Sequence, residues 1–463
     1  MFKKLLIANR GEISLRVQRA CRKMGIKTVA VYSEADRKAR HVTEADERVC
    51  IGPKSSKDSY LNQVAVLSAA RITGADAIHP GYGFLSENAT FAALCRDFDI
   101  TFVGPTPEAI ELLGDKMASL NLARKLGVPT LSPFSDPADS LAEAKIQAGK
   151  IGYPVLIKAA SGGGGRGMKV CRSDAELEKN YEITRTEARN AFGDDTVFIE
   201  KYLEQPRHIE FQIIADKTGN TIWLPERECS LQRRHQKVLE ESPSAAVCPE
   251  LRERMGADAV RIAKAGGYHT VGTVEFLLGP DGRYYFIEMN PRIQVEHPVT
   301  EMVSGLDLIK LQIRLAAGHP LHFKQRNVRM LGHAVEFRIN AEDAEHFRPS
   351  PGTVSRADFH GGEGVRVDSY LFDGCDVPPY YDSLVAKVIV KDKTRAGALR
   401  KAVPVLRKTR IDGIHTNIPM HLKIIAHGNF RTGKIHTGTL ERVLAHEAGF
   451  GAKVPYIKVP NVA

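Results

Sequence analysis

Apolar residues open the chain as a short strand, KKLLIA, and then change period. Ile13, Val17, Ala20, Cys21 and Met24 recur every three or four positions, one face of a helix. KTVAVYS follows as a buried strand, and the strand-then-loop theme returns in ADAIHPGYGFLSEN and ITFVGPTPEAI. Alternation of this kind predicts a mostly parallel sheet with helices on both faces. The small-residue, Pro-rich stretch GVPTLSPFSDPADS (127–140) reads as a hinge, and 151–203 as a compact β/α unit. From 204 onward strands dominate: HIEFQIIAD, TIWLPER, TVEFLL and YYFIEMN, the last two flanking the turn signal GPDG. Residues 331–446 carry the strand-like runs GHAVEFRI and SLVAKVIV and a helical finish, and the tail from about Ala448 reads as loose. No internal repeat or low-complexity tract interrupts this order.

Composition narrows the class without naming a function. A length of 463 residues predicts two or three domains, and 43% hydrophobic with 26% charged content is ordinary for globular chains. Seven scattered cysteines with no C-x-x-C pair point to reduced thiols, not a disulfide framework or a zinc site, and so to the cytoplasm. MFKKLLIANRGE is too short in apolar residues for a signal peptide, and no run approaches the roughly 18 residues of a membrane span. The formal charge of +10 favours anionic partners. Nucleic acid is set aside because no recognition motif accompanies that charge; nucleotides and bicarbonate remain.

The segment PVLIKAASGGGGRGMKV contains Gly162, Gly164 and Gly167 in G-x-G-x-x-G spacing. A dinucleotide site needs a helix after those glycines, but GMKVCR reads as a second strand and the helix begins near Asp174. Met168 stands where a Walker lysine would be, and no H-R-D or D-F-G triplet supports a kinase. Two readings stay open: a flap closing over phosphates with backbone N–H groups, or a mobile surface hairpin. Lys158 and Arg166 beside the glycines, and Lys116 in GDKMAS, favour the flap, because phosphates require fixed positive charge.

In IEMNPRIQVE, Glu288, Asn290, Arg292, Gln294 and Glu296 alternate with apolar residues, so an extended chain points all five to one side. A solvent-facing strand has the same pattern. If the GPDG turn spans Gly279–Gly282, Glu275 stands opposite Phe286 and diagonal to Glu288 on the same face. Two carboxylates and an amide oxygen then converge, a donor set for Mg²⁺ with substrate phosphates. Pro291 bends the strand beyond Asn290. QRRHQK (232–237) adds Arg233, Arg234, His235 and Lys237, either as a solvated basic loop or as anion clamps facing that site.

MFKKLLIANRGEI, IHPGYGFLSEN, GPTPEAIELLGDK, KAASGGGGRGMKV, EKYLEQPRHIE, ERECSLQRRHQKV, FIEMNPRIQVEHPVTEM, RINAED and PPYYDSLVAK together closely resemble the biotin carboxylase family of the ATP-grasp group, in unbroken order over about 1–446. The resemblance implies a mixed α/β and α+β fold in three parts. These are a Rossmann-like domain at 1–115, an ATP-grasp region at 116–330 with a mobile lid at about 131–203, and a β-rich C-terminal domain at 331–446, with a loose tail at 447–463.

It further implies that Lys116, Lys158, Gly164, Gly165, His208, Gln232 and His235 hold ATP, with Glu200, Lys201, Leu203 and, in a stretch that matches only loosely, Ile435 on the adenine side. Glu275, Glu288 and Asn290 would carry Mg²⁺ or Mn²⁺. Lys237, Arg292, Gln294, Val295 and Glu296 would surround bicarbonate, with Glu296 as base, and Tyr82, Gly83 and Arg338 would receive biotin. An A-M-K-M carrier signature is missing from the sequence, which implies a separate biotin carboxyl carrier protein and a separate carboxyltransferase; the family implies a homodimer. The acceptor implied is acetyl-CoA or a related acyl-CoA. The alternatives are a component of a pyruvate or other 2-oxo-acid carboxylase, or another ATP-grasp ligase.

Overall fold

The N-terminal alternation folds as expected, into five parallel strands in the order β3-β2-β1-β4-β5: β1 (Lys4–Ile7), β2 (Lys27–Ser33), β3 (Glu47–Gly52), β4 (Ala77–His79) and β5 (Thr101–Phe102). A computed structural model describes residues 1–159 and 167–445 of the chain. The helix Gly11–Met24 buries Ile13, Val17, Ala20 and Cys21 and stops at Gly25, whose φ of 71° supplies the left-handed cap. Its polar residues Glu12, Arg16 and Gln18 are buried too. The reason is distant chain packed over them: Arg16 donates to Glu301 at 2.8 Å and to Asp307 at 2.6 Å. Between β4 and the following helix, the Asn9 amide donates to the carbonyls of Pro80 and Tyr82, both at 2.7 Å. Gly81 has a φ of +64°, and a Cβ there would meet that amide at 2.9 Å, so only glycine lets the GYG loop lie this close.

The glycine segment joins two strands of a small antiparallel sheet ordered β7-β6-β8, with β6 (Val155–Ala159), β7 (Met168–Cys171) and β8 (Val197–Lys201). Helices Leu141–Ile151 and Asp174–Phe192 close its core through Ala144, Ala148, Leu177 and Tyr181. The expected strands on either side of the glycines and the helix start at Asp174 are therefore present. Gly164 and Gly165 themselves, and the tail beyond Ala445, lie outside the described residues.

Residues from 204 onward build one large antiparallel sheet, which the sequence periodicity divides into two segments. Its path runs β14-β13-β9-β11-β12-β15 and continues through the strands Leu384–Asp392 and Val365–Ser369. The strands are β9 (Arg207–Ala215), β10 (Thr221–Trp223) pairing on β9, β11 (Arg227–Arg233), β12 (Gln236–Ser242), β13 (Thr270–Leu278), β14 (Tyr284–Asn290) and β15 (His333–Asn340). The β12–β15 pairing, with Leu239 opposite Phe337, makes the two segments one sheet. On one face Phe211, Phe276 and Phe286 are wholly buried beneath the helix Pro249–Ala265. Each such ring contributes roughly 1.5–3 kcal/mol of burial. Helices interrupt the strand-rich expectation at 249–265, 297–304 and 308–316. Among the described residues no helix is long and apolar enough to cross a membrane.

Several histidines sit in this interior without charge. Burial pushes His41 and His421 down to about 4 and His79 to about 3. The Nδ1 of His79 accepts from the Gly81 amide at 3.0 Å, a bond that the protonated ring could not accept. Their unfolded values lie near 6.5, so the unfolded chain binds more protons between that pH and the folded values. Stability is thus fully present above pH ~6.5 and falls as the pH drops toward 4, by roughly 1 kcal/mol per pH unit for each histidine. Urea midpoints measured from neutral pH downward are expected to decline steadily across that window; a flat midpoint would contradict the buried neutral rings.

Candidate active site

A cavity of about 1420 Å³ opens between the GYG loop, the small β6–β8 sheet and the large sheet, and Lys116, Lys158, Lys237, Glu275, Glu288 and Arg338 all line it. The β13–β14 hairpin sets the acid pair on its floor, in a register that differs from the simple turn count. Leu278 faces Tyr284 and Phe276 faces Phe286, and an irregularity between Phe276 and Glu275 then brings Glu275 directly opposite Glu288. Without that bulge Glu288 would slip past its partner, since a one-residue shift reverses the face. Alternation ends at Asn290, where Pro291 stops β14, and Glu296 already precedes the helix His297–Ser304. Side-chain bonds, not a shared strand face, hold the remainder together: Arg292 donates to Asn290 at 3.0 Å and to Gln294 at 3.1 Å, and Asn290 donates to Glu275 at 2.9 Å.

At the centre lies Lys237. Its ammonium donates to Glu210 at 2.5 Å, Glu296 at 2.8 Å and Glu275 at 2.9 Å, and its side chain is only 12% exposed. Burial opposes the charge, but the three carboxylates overcome it and hold Lys237 well above the usual lysine range. Burial likewise opposes ionisation of Glu296, yet Lys237, Arg338 and Arg227 keep it well below the usual carboxylate range. Glu275 is lowered in the same way by Lys237 and by His208, whose Nε2 lies 2.8 Å away. Glu288 is different. Burial and the charge on Glu275 raise its pKa, and among the described residues no hydrogen bond or ion pair reaches it. Glu288 is therefore the member of the pair that lacks a counter-charge, and with Asn290 and Glu275 it fits a divalent cation.

Across the cavity, Lys158 on β6 is lowered to about 8 by burial and by the neighbouring Lys116, with Glu200 at 3.8 Å opposing. Two ammonium groups brought together this way form a receptor for an anion such as phosphate. The Lys201 ammonium donates to the carbonyls of Gly152 and Tyr153, at 2.8 and 3.1 Å, so this residue faces the cavity with its side chain already engaged. Leu203 lines the same wall, and Gln232 bonds His208 Nδ1 at 2.9 Å. QRRHQK forms a tight hairpin: Arg234 and His235 take left-handed φ at its exposed tip, and Arg233 covers Phe347 at 3.7 Å. Arg234 and His235 at the rim and Lys237 within all line the cavity. Ile435 packs in the C-terminal core, and His436, Thr437 and Gly438 beside it line the cavity.

Arg338 on β15 donates to Glu240 at 2.6 Å and to Glu296 at 2.9 Å. The Tyr82 hydroxyl bonds Glu12, Glu12 pairs with the wholly buried Lys387 at 2.9 Å, and Lys387 donates to the Val295 carbonyl at 2.9 Å. Sequence reasoning passes over Glu12, Glu210, Arg227, Glu240 and Lys387. The polar alternation of His208, Glu210 and Gln212 in HIEFQII, and the lone lysine in LVAKVIV, are signals available in the sequence.

Three family models match in chain order: Biotin carboxylase, N-terminal domain, over 1–110; Carbamoyl-phosphate synthase L chain, ATP binding domain, over 115–324; and Biotin carboxylase C-terminal domain, over 336–442. Biotin carboxylase of Haemophilus influenzae is 52% identical over 445 residues, 96% of this chain and 99% of that one. The 2-oxoglutarate carboxylase small subunit of Hydrogenobacter thermophilus is 49% identical over 442 residues, 95% of this chain and 93% of that one. Among solved structures, the biotin carboxylase domain dimer of Hydrogenobacter thermophilus 2-oxoglutarate carboxylase, in complex with MgADP, ADP and bicarbonate, superposes with a TM-score of 0.88 at 48% identity, covering 96% of this chain and 99% of that one. A biotin carboxylase β-γ-ATP complex from Campylobacter jejuni gives 0.90 at 44%, with the same coverage. Fold and site define an ATP-grasp enzyme, an ATP-dependent ligase. The chain belongs to the biotin carboxylase family.

Behind the cluster, Arg227 is wholly buried and donates to Glu210, Gln212, Thr300 and Thr273. Removing it leaves Glu210 buried beside fewer cations, so Arg227→Ala is expected to lose about 3–5 kcal/mol in denaturant unfolding. A loss below about 1 kcal/mol would show that Lys237 alone satisfies Glu210.

Proposed function

We propose that this enzyme carboxylates biotin on a separate carrier protein, using ATP and bicarbonate, as the first half-reaction of a multisubunit carboxylase. The observation that carries the reading is Lys237, which joins Glu275, the cross-strand neighbour of Glu288, to Glu296 in one hydrogen-bonded set. In this reading Lys116, Lys158, Gly164, Gly165, His208, Gln232 and His235 hold the phosphates and ribose, and Glu200, Lys201 and Leu203 frame the adenine. Glu275, Glu288 and Asn290 hold Mg²⁺ or Mn²⁺, which when bound neutralises charge on the transferring phosphoryl group. Lys237, Arg292, Gln294 and Val295 bind bicarbonate, and Glu296 takes its proton. Bicarbonate oxygen then attacks the γ-phosphorus and ADP leaves, giving carboxyphosphate. Its breakdown yields CO₂ and phosphate, and the phosphate takes the proton from the biotin ureido nitrogen. Arg338 stabilises the enolate oxygen of biotin, with Tyr82 and Gly83 beside the ring. The resting geometry adds a control: Glu296 is a poor base while Lys237 and Arg338 hold it, and bicarbonate must draw those cations away before the carboxylate regains basicity.

A lid at about 131–203, a cytoplasmic location and a homodimer complete the proposal. Support for a separate carrier comes from the Hydrogenobacter thermophilus relative, which is of similar length and is named as the small subunit of its carboxylase. We assign acetyl-CoA or a related acyl-CoA as final acceptor, with a 2-oxo acid as the alternative; the choice belongs to the transferase chain.

ATP hydrolysis is expected to require bicarbonate and to rise with free biotin, and equal hydrolysis after bicarbonate is stripped out would overturn the reading. Glu288→Gln is expected to lower metal-dependent turnover roughly a hundredfold or more, measured as phosphate release. Arg338→Ala is expected to cut biotin carboxylation further than bicarbonate-dependent ATP hydrolysis. A variant that carboxylates biotin at the parental rate would show that Arg338 does not stabilise the biotin enolate.

A further inference from the structure

Glu336, on β15, is wholly buried, and neither of its carboxyl oxygens meets a hydrogen-bond partner among the described residues. An acid enclosed in this way keeps its proton, because an unsolvated, unpaired carboxylate is too costly to form. Directly opposite on β12 stands Glu240, also wholly buried. Cross-strand neighbours of this kind have Cβ atoms about 5 Å apart. One Glu240 oxygen accepts from Arg338 Nε at 2.6 Å, and the other has no partner among the described residues. The same guanidinium reaches Glu296 through Nη2 at 2.9 Å. Arg338 is thus divided between the proposed base and an acid that the reaction does not use.

Titratable and charged groups face this acid from several elements. Lys237 comes from β12, Cys229 from β11, Arg338 and Glu336 from β15, and Glu296 from the loop before helix His297–Ser304; Lys387, on the strand Leu384–Asp392, faces Glu336. Burial and the Glu296 charge push Glu240 up to about 7, against Arg338 and Lys237. Burial and the Glu240 charge hold Glu336 well above the usual carboxylate range, against Lys387.

We propose that Glu240 and Glu336 form a buried acid pair in which Glu336 stays protonated while Glu240 gains and loses its proton, making Glu240 a positioning residue whose charge sets how firmly Arg338 is drawn away from Glu296. Ionised, Glu240 competes with Glu296 for the guanidinium. Protonated, it leaves Arg338 to Glu296. No covalent step is involved; one proton exchanges with solvent. The role in turnover rests on the proposed use of Arg338 toward biotin, but the protonation pattern does not.

Infrared spectra of the full chain in D₂O test the pattern. At about pH 8 a protonated-carboxyl band is expected that Glu336→Gln removes, and a second is expected to grow toward about pH 6 and to be missing in Glu240→Gln. Spectra that are the same with and without Glu336 overturn the pair. For the role, biotin carboxylation followed across neutral pH is expected to show an inflection near pH ~7 that Glu240→Gln abolishes. A profile merely scaled down, its shape unchanged, overturns the positioning role while leaving ATP-dependent biotin carboxylation intact. Should Glu240→Gln fail to fold, Glu240→Asp supplies the second measurement: its shorter reach is expected to displace the inflection, and an unmoved inflection overturns the role equally.

Discussion

One ammonium group bonded to three carboxylates holds this site in place. Lys237 is enclosed with Glu210, Glu275 and Glu296, and none of the four could remain ionised there alone. Buried ion clusters are weak sources of stability, because desolvation consumes most of the Coulomb gain. What such a cluster supplies is a unique arrangement, since any displaced member strands the others. β9 brings Glu210, β12 brings Lys237, β13 brings Glu275 and the loop after β14 brings Glu296. The cluster therefore ties neighbouring strands of one sheet in a single register, and its support continues into the interior through Arg227.

The hairpin bulge shows how local chain geometry feeds that arrangement. Glu275 and Glu288 face one another only because one extra residue, Ile287 on β14, enters between the Phe276–Phe286 and Glu275–Glu288 pairs. Glu275 is then occupied by Lys237, His208 and Asn290, and Glu288 is left facing the two lysines across the cavity. Positive and negative halves of the cavity are each left short of counter-charge. A metal-bearing polyphosphate answers both deficits at once.

Much of this is legible in the sequence, and what is not has a physical reason. The parallel N-terminal sheet, the β6–β7 glycine connection and the β13–β14 hairpin follow from periods and turn residues, which are local signals. The bulge at Glu275 is not local in that sense: the side chains choose it, because it buries Phe276 and Phe286 on one face and turns the acids to the other. The run from Glu288 to Glu296 matches an extended strand for its whole length, yet Pro291 ends the strand and hydrogen bonds among Asn290, Arg292 and Gln294 replace it. The apolar Ile435 packs in the core while His436 beside it takes the cavity wall. Glu240 and Glu336 carry no readable signal, because strand alternation reveals a face but not which strand from elsewhere will lie beside it.

Arg338 joins these observations into a sequence of dependence. Its backbone carbonyl accepts from Asn417 at 3.0 Å and meets His421 Nε2 at 2.8 Å, so the β15 segment that bears it is fixed from the C-terminal side. Its guanidinium spans Glu240 and Glu296, and Glu296 in turn spans Arg338 and Lys237. Any anion that draws one cation from Glu296 raises the basicity of that carboxylate, and any proton placed on Glu240 returns Arg338 to it and lowers that basicity again. Base strength in this site is thus a property of who holds the two cations, not of Glu296 itself. A site built this way holds the Glu296 carboxylate neutralised until a second anion arrives to compete for its cations.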